Sequence, residues 1–224
     1  MEISYILPTL NEGSRLALAL ESVLKQAGEK EVIVADGGSQ DDTTEIARSY
    51  NCRTIVSPPG RGMQLNRGAA AATGETLLFL HADTILPDKA SEEILKILSL
   101  PRTLAGSFRL QFQPDSRALR FFAAFSKINS ALFTYGDQGL FLRRSTFQAI
   151  GGFREYPILE DVEIQGRLRA CGRFGKSRLA VVTSSRRFNK IGPLRQQLLN
   201  AFILAAYFGG ASPFDLAKLY KRIR

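Results

Sequence analysis

The sequence predicts an α/β fold, a mostly parallel central sheet with helices on both faces and a helical C-terminal extension. Three observations carry that expectation. Short apolar runs alternate with helical patterns through the first hundred residues. The early runs, such as Val32-Ile33-Val34-Ala35, are apolar throughout, as in parallel strands covered on both faces. The chain has 224 residues, of which 45% are hydrophobic, enough to bury a sizeable core.

The elements follow in order. Residues 3–7 read as a strand and 12–25 as a helix; 31–35 as a strand and 41–50 as a helix. Residues 53–57 are a strand, 62–73 an alanine-rich helix, 76–80 a strand and 87–98 a helix. The second half is less regular. Residues 106–113 alternate like a strand, and 118–133 look helical, with Phe121, Phe122 and Phe125 close together. Residues 138–142 read as a strand, 160–170 as a helix and 178–183 as a last strand. Residues 194–208 form an apolar helix, and 214–222 a short basic one. The apolar stretch 198–208 is too short to span a bilayer, which takes about 20 apolar residues.

Two cysteines, Cys52 and Cys171, make no disulfide framework, and the first strand pattern begins almost at once. A cytoplasmic, reducing setting is the expectation. With His81 the sole histidine, a multi-histidine metal site is excluded. The net charge of +9 is unevenly spread: residues 1–112 carry 11 Lys/Arg against 14 Asp/Glu, residues 113–224 carry 19 against 7. A basic second half fits a solvated face, and equally a diphosphate or an anionic lipid surface. Nucleic acid is not expected as a partner, because no nucleic-acid motif is visible.

Ligands of open α/β sheets sit outside the C-terminal ends of the strands. Four strand ends here supply polar, acidic or glycine-rich residues: Pro8-Thr9-Leu10-Asn11-Glu12, Asp36-Gly37-Gly38-Ser39, Pro58-Pro59-Gly60-Arg61-Gly62 and His81-Ala82-Asp83. Asp36 could accept a hydrogen bond from a base N–H, or Ser39 and Asp42 could simply cap the next helix. Asp83 is a hard oxygen ligand suited to Mg²⁺ or Mn²⁺, or a loop aspartate capping the helix after Pro87. Glu160-Asp161 opens a helix after the turn Gly151-Gly152-Phe153, where the macrodipole favours acids. Arg186 and Arg187, near Lys190, could clamp phosphates, in a span from 173 to 190 with six Lys/Arg and no acid.

Taken in order, P-T-L-N-E, D-G-G-S-x-D-x-T, R-G-x-Q-x-N-x-G, H-A-D-T and G-G-F…E-D resemble the GT-A glycosyltransferases of the large inverting family 2, over roughly residues 1–190. The stretch from Arg61 to Thr84 is similar to a small bacterial subgroup, transferases associated with radical-SAM and selenodomain proteins. The resemblance implies a donor-nucleotide half, 1–112, an acceptor half, 113–190, and a helical extension, 191–224. It implies that Pro8, Thr9, Asn11 and Glu12 hold the nucleoside and that Asp36, with Gly37, reads the uracil of a UDP-sugar. Arg61, Gln64, His81, Ala82, Arg186 and Arg187 would complete the donor site. Asp83 matches the last acid of the D-x-D motif and would hold the divalent cation; His81 replaces the first acid, leaving fewer carboxylates. Asp161 matches the catalytic base.

The implied reaction is a single displacement with inversion, Asp161 taking the proton of the acceptor hydroxyl. A sugar-phosphate nucleotidyltransferase is the rival enzyme, but it would carry a glycine-rich basic loop where Pro8–Glu12 stand. A non-catalytic sugar-nucleotide-binding or membrane scaffold is the other rival, and the retained Asp83 and Asp161 argue against it. The phenylalanines of 118–133, the apolar helix and the basic tail 218–224 point to an apolar, lipid-like acceptor met at the inner membrane surface. Core packing or a homodimer would explain the same features.

Overall fold

A computed structural model describes residues 2–223, the side chains of Arg187, Asn189, Lys190 and Ile223 excepted. The first half follows the expected alternation to within a few residues: β1 (Ile3–Thr9), α1 (Gly13–Leu24), β2 (Lys30–Asp36), α2 (Thr43–Ser49), β3 (Arg53–Val56), α3 (Arg61–Ala71) and β4 (Thr76–Phe79). A short β5 (Thr84–Ile85) precedes α4 (Ala90–Leu98), β6 (Thr103–Gln113) and α5 (Arg117–Phe125). Two 3-10 turns, Ala131–Phe133 and Gly136–Gln138, lead into β7 (Leu140–Arg143), α6 (Arg144–Ala149), α7 (Glu160–Cys171) and β8 (Arg173–Ser184). Three helices end the chain: α8 (Arg186–Ile191), α9 (Pro193–Phe208) and α10 (Pro213–Ile223).

The eight strands form one sheet in the order β3-β2-β1-β4-β7-β6-β8-β5. Strands β1 to β4 are parallel, so their C-terminal ends share one edge. Strand β7 enters antiparallel between β4 and β6, and β6 and β8 are parallel to each other. The period-2 alternation of side chains divides the core. Tyr5 and Leu7 pack with Leu16, Leu20 and Ile94 of α1 and α4 on one face. Ile6 and Phe79 pack with Leu65 of α3, Phe147 of α6 and Ile164 of α7 on the other. The GT-A expectation of a mostly parallel sheet with helices on both faces therefore holds.

The expected helix over 118–133 stops at Phe125. The Ser126 hydroxyl donates to the Ala123 carbonyl at 2.6 Å and accepts the Leu110 N–H at 2.9 Å. The Asn129 amide then donates to the Phe174 carbonyl at 2.7 Å. These side-chain bonds compete with the helix ladder and turn the chain back over the sheet, although the apolar spacing continues. Strand β8 starts five residues earlier than expected, because the long β6 gives it a parallel partner from Thr103 onward. The last helices bury Leu199, Ile203 and Leu216 in a cluster of their own, against Ile158 and Leu159. Among the described residues no helix is long and apolar enough to cross a membrane.

Candidate active site

The parallel strand ends, the turn after β4 and the N-terminus of α7 surround one cavity of about 770 Å³. That volume lies within the usual range for small-molecule sites, roughly 300–1,000 Å³. Its polar wall carries Thr9, Glu12, Arg61, His81, Asp83, Asp137, Glu160 and Asp161. Its apolar wall carries Phe121, Phe122, Phe125 and Phe133, and α9 and α10 close it with Asn200, Ile203 and Tyr220. Nine of the residues expected at the site line this cavity: Pro8, Thr9, Glu12, Arg61, Gln64, His81, Ala82, Asp83 and Asp161.

Asp83 stands in a tight turn, closed by the Thr84 N–H donating to the His81 carbonyl at 3.1 Å. The turn is anchored because Thr84 and Ile85 pair with Thr183 and Val182 at the far edge of the sheet. Asp83 caps no helix, since α4 begins only at Ala90. In the same cavity, the Gly136 N–H donates to Asp161 Oδ2, and the Val162 N–H to Asp161 Oδ1 at 2.9 Å. A Cβ placed on Gly136 would lie 3.1 Å from Asp161 Oδ2 and 3.2 Å from His81 Nε2. Glycine there lets the turn after Tyr135 pass between these two side chains.

The cavity floor is electrostatically crowded. Glu160 is buried and pairs with Arg61 at 3.4 Å. Burial raises the Glu160 pKa, with Arg61 opposing and Asp161 reinforcing the rise. Desolvation lowers Arg61, but Glu160, then Asp161, Asp137 and Asp83, together raise it above its usual value. One guanidinium thus sits among four carboxylates. Burial, then Asp137 and Asp161, pushes the Tyr135 hydroxyl up to about 12.

Several expected donor residues serve the walls of the site. Asp36 lies outside the cavity lining, and its carboxylate receives four donors: the Gly38 and Ser39 N–H groups at 2.9 and 2.8 Å, Thr9 Oγ1 at 3.0 Å and Ser39 Oγ at 2.5 Å. Against burial, which raises it, these bonds hold the Asp36 carboxyl below its usual value of 3.8. Gly37 lets Gln64 come close, since a Cβ there would lie 3.0 Å from Gln64 Nε2. Gln64 is buried and ties β1 to β2 by donating to the Thr9 and Ala35 carbonyls at 2.7 and 2.8 Å. Asn11 is exposed and accepts the Gln40 N–H at 2.8 Å, joining the first two strand-end loops. Arg186 donates to Glu12 at 2.7 Å and is not among the lining residues. The side chain of Arg187 lies outside the described residues, as does that of Lys190.

The R-G-x-Q-x-N-x-G stretch divides the same way. Arg61 faces the acids, while Asn66 exchanges two 2.9 Å bonds with the Phe153 backbone. A Cβ on Gly62 would lie 2.6 Å from the Arg154 carbonyl, and one on Gly68 would collide with Ile6. The strand expected over 138–142 begins only at Leu140, because Gln138 closes the turn Tyr135–Gln138, a polar, glycine-containing tetrapeptide that sequence reasoning left out. Sequence reasoning also left out Lys176, which nothing in the sequence distinguishes from the other cations of the basic half.

With this geometry in view, residues 4–151 match the Glycosyl transferase family 2 profile, most of the chain. The chain belongs to glycosyl transferase family 2. It is 29% identical over 218 residues to a PGL/p-HBAD biosynthesis glycosyltransferase of Mycobacterium bovis, covering 88% of this chain and 80% of that one. It is 30% identical over 190 residues to the O-antigen chain rhamnosyltransferase WbaN of Salmonella anatum, covering 75% and 60%. Among solved structures, it is similar to the mannosyltransferase PcManGT of Pyrobaculum calidifontis in complex with GDP-Man and Mn²⁺, with TM-score 0.69, 20% identity, and 96% and 68% coverage. S. aureus TarS 1-349 in complex with UDP-GlcNAc gives TM-score 0.65 at 20% identity, with 83% of this family 2 glycosyltransferase spanning 59% of that chain.

Proposed function

We propose that this glycosyltransferase moves a sugar from a UDP-sugar to an acceptor hydroxyl with inversion, and that Asp161 is the base. The observation that carries the reading is that Asp161 lines one cavity with Asp83 and His81, with Gly136 packed between His81 and Asp161 and donating to the Asp161 carboxylate. Residues 1–112 hold the donor and 113–190 the acceptor, with 191–224 as a closing extension. The bond from the anomeric carbon to the diphosphate oxygen breaks as the acceptor oxygen attacks from the opposite side. Asp161 takes the acceptor's proton, a role typically worth about 10²–10⁴ in rate. Arg61 keeps a positive charge beside Glu160 and Asp161.

A divalent cation fits this site on the chemistry of its donors. Asp83 offers carboxylate oxygen inside the cavity, the ligand type Mg²⁺ and Mn²⁺ take. Among the described residues no group of three His, Cys, Asp or Glu side chains forms a complete cage. Asp83 would therefore hold the ion with His81 beside it, the remaining positions falling to diphosphate and water. When bound, such an ion offsets the charge of the leaving diphosphate. Mn²⁺ accompanies the nucleotide in PcManGT and in a glucosyl-3-phosphoglycerate synthase of Mycobacterium tuberculosis bound to UDP.

The acceptor in this reading carries an apolar portion that lies against Phe121, Phe122, Phe125 and Phe133. Thermal shift with UDP, GDP and their sugars, with and without Mn²⁺, tests the donor assignment. A ligand at 100 times its Kd should add about 2.7 kcal/mol of stability. UDP with Mn²⁺ is expected to give the largest shift, and Asp83→Ala to remove the Mn²⁺ dependence. A GDP shift exceeding that of UDP would overturn the uridine assignment.

A further inference from the structure

One half-buried cation has no part in the mechanism above. Lys176, near the start of β8, points its ammonium into a ring of oxygens beneath the segment from Ser130 to Gln138. It donates to Ser107 Oγ at 2.9 Å, the Phe108 carbonyl at 3.2 Å, Thr134 Oγ1 at 3.3 Å and Gln138 Oε1 at 2.5 Å. Two of these acceptors belong to β6, which is fixed in the sheet, and two to the segment above it.

Gln138 passes this anchoring upward. Its amide donates to the Phe133 carbonyl at 2.8 Å, and its N–H to the Tyr135 carbonyl at 3.0 Å. The turn so held presents the Gly136 N–H that bonds the Asp161 carboxylate. From the other side, Gln165 of α7 donates to the Thr134 carbonyl at 3.1 Å, and Arg169 of α7 donates to Asn129 Oδ1 at 3.0 Å. A short polar chain therefore runs from a sheet lysine through one glutamine to the carboxylate facing the reacting centre.

We infer that Lys176 is a positioning residue: through Gln138 it fixes the Gly136 turn, and thereby the orientation of the Asp161 carboxylate. This rests on Asp161 being the base. The physical case is that a base must be held near its productive geometry, and a displacement of about 1 Å can cost 10²-fold in rate. A free glycine turn between Tyr135 and Gly139 would not hold that geometry. A half-buried amine bonded to both the sheet and the turn does, because breaking it leaves several acceptors unpaired. The other charged groups acting on it are Arg169 from α7, Arg109 from β6 and Asp137 from the turn itself.

The test compares wild type, Lys176→Met, Gln138→Met, the double variant and Asp161→Asn. The readouts are Tm, the Kd for UDP, and kcat and KM for UDP release. The donor is whichever of UDP-glucose, UDP-galactose and UDP-N-acetylglucosamine is hydrolysed fastest. Each of the two methionine variants is expected to lower kcat at least about tenfold while KM and the Kd for UDP stay within about twofold. The double variant should be no slower than the slower single one, because both cut the same path. Unchanged kcat in either single variant overturns the inference, as does a parallel fall of kcat, UDP affinity and Tm, which marks a purely structural role. If Lys176→Met does not fold, Gln138→Met decides alone by the same criteria. An Asp161→Asn protein as fast as wild type removes the base assignment, a different failure from a silent Lys176.

Discussion

At the scale of single residues, the chain separates those that face the cavity from those that hold its walls. Asp36 belongs to the second group, since four donors occupy the acceptor positions of its carboxylate. A uracil N–H would have to displace one of them. We predict that Asp36→Asn loses about 2 kcal/mol of stability in urea unfolding, because an amide nitrogen then faces N–H donors. Its folded pKa lies below the ordinary carboxylate value, so the stability it contributes is present above about pH 4 and lost as pH falls further. In the variant, that part of the acid limb should flatten. An Asp36→Asn protein as stable as wild type, with UDP binding lost, would return Asp36 to base recognition. The motif letters announced that this position matters. They did not say whether for the ligand or the turn, because both uses favour an aspartate at a strand end.

At the scale of elements, α3 shows how a ligand motif can also be a packing motif. Gly62 and Gly68 allow its backbone to lie against the Arg154 carbonyl and Ile6, and Gln64 and Asn66 bind backbone on either side. Gly68→Val is expected to destabilise by about 1–3 kcal/mol through overpacking against Ile6, read as a lowered urea midpoint. An unchanged midpoint would mean that α3 moves freely. The parallel strands and their helices were legible because each apolar run is short and followed by polar residues, even though β3 stays partly exposed at the edge of the sheet. The segment from Ser126 to Gln138 was not legible, because its path is set by contacts far away in sequence: Ser126 to Leu110, Asn129 to Phe174, Gln138 to Lys176. Burial, then Arg169, lowers Lys176 to about 7, with Asp137 opposing. The unfolded lysine stays charged to about pH 10.4. The folded state therefore binds fewer protons between about pH 7 and 10, and stability should rise with pH across that window. Urea unfolding at pH 6, 8 and 10 should show the rise in wild type, and Lys176→Met should lose it.

For the whole molecule, the C-terminal helices answer one question and open another. They pack through Leu199, Ile203 and Leu216 and close the cavity, so they are part of the site. On the outer side of α9, Leu194, Leu198 and Phe202 recur every four residues and remain exposed, alongside Arg195. We propose that this face and the basic tail meet an anionic membrane surface carrying the acceptor. Co-sedimentation with vesicles containing phosphatidylserine is expected to fall as salt rises, since screening acts over about 8 Å at physiological ionic strength, and to weaken in Leu198→Ser/Phe202→Ser. A protein that ignores such vesicles at low salt and elutes as a dimer assigns the face to a second copy. Asp161 shares one cavity with Asp83, and the single-turnover rate of Asp161→Asn with UDP-sugar tests its proposed role as the base most directly. With Asp161 as the base, that rate is expected to be at least about 10² lower with UDP affinity unchanged; a near-normal rate would mean that another group takes the proton.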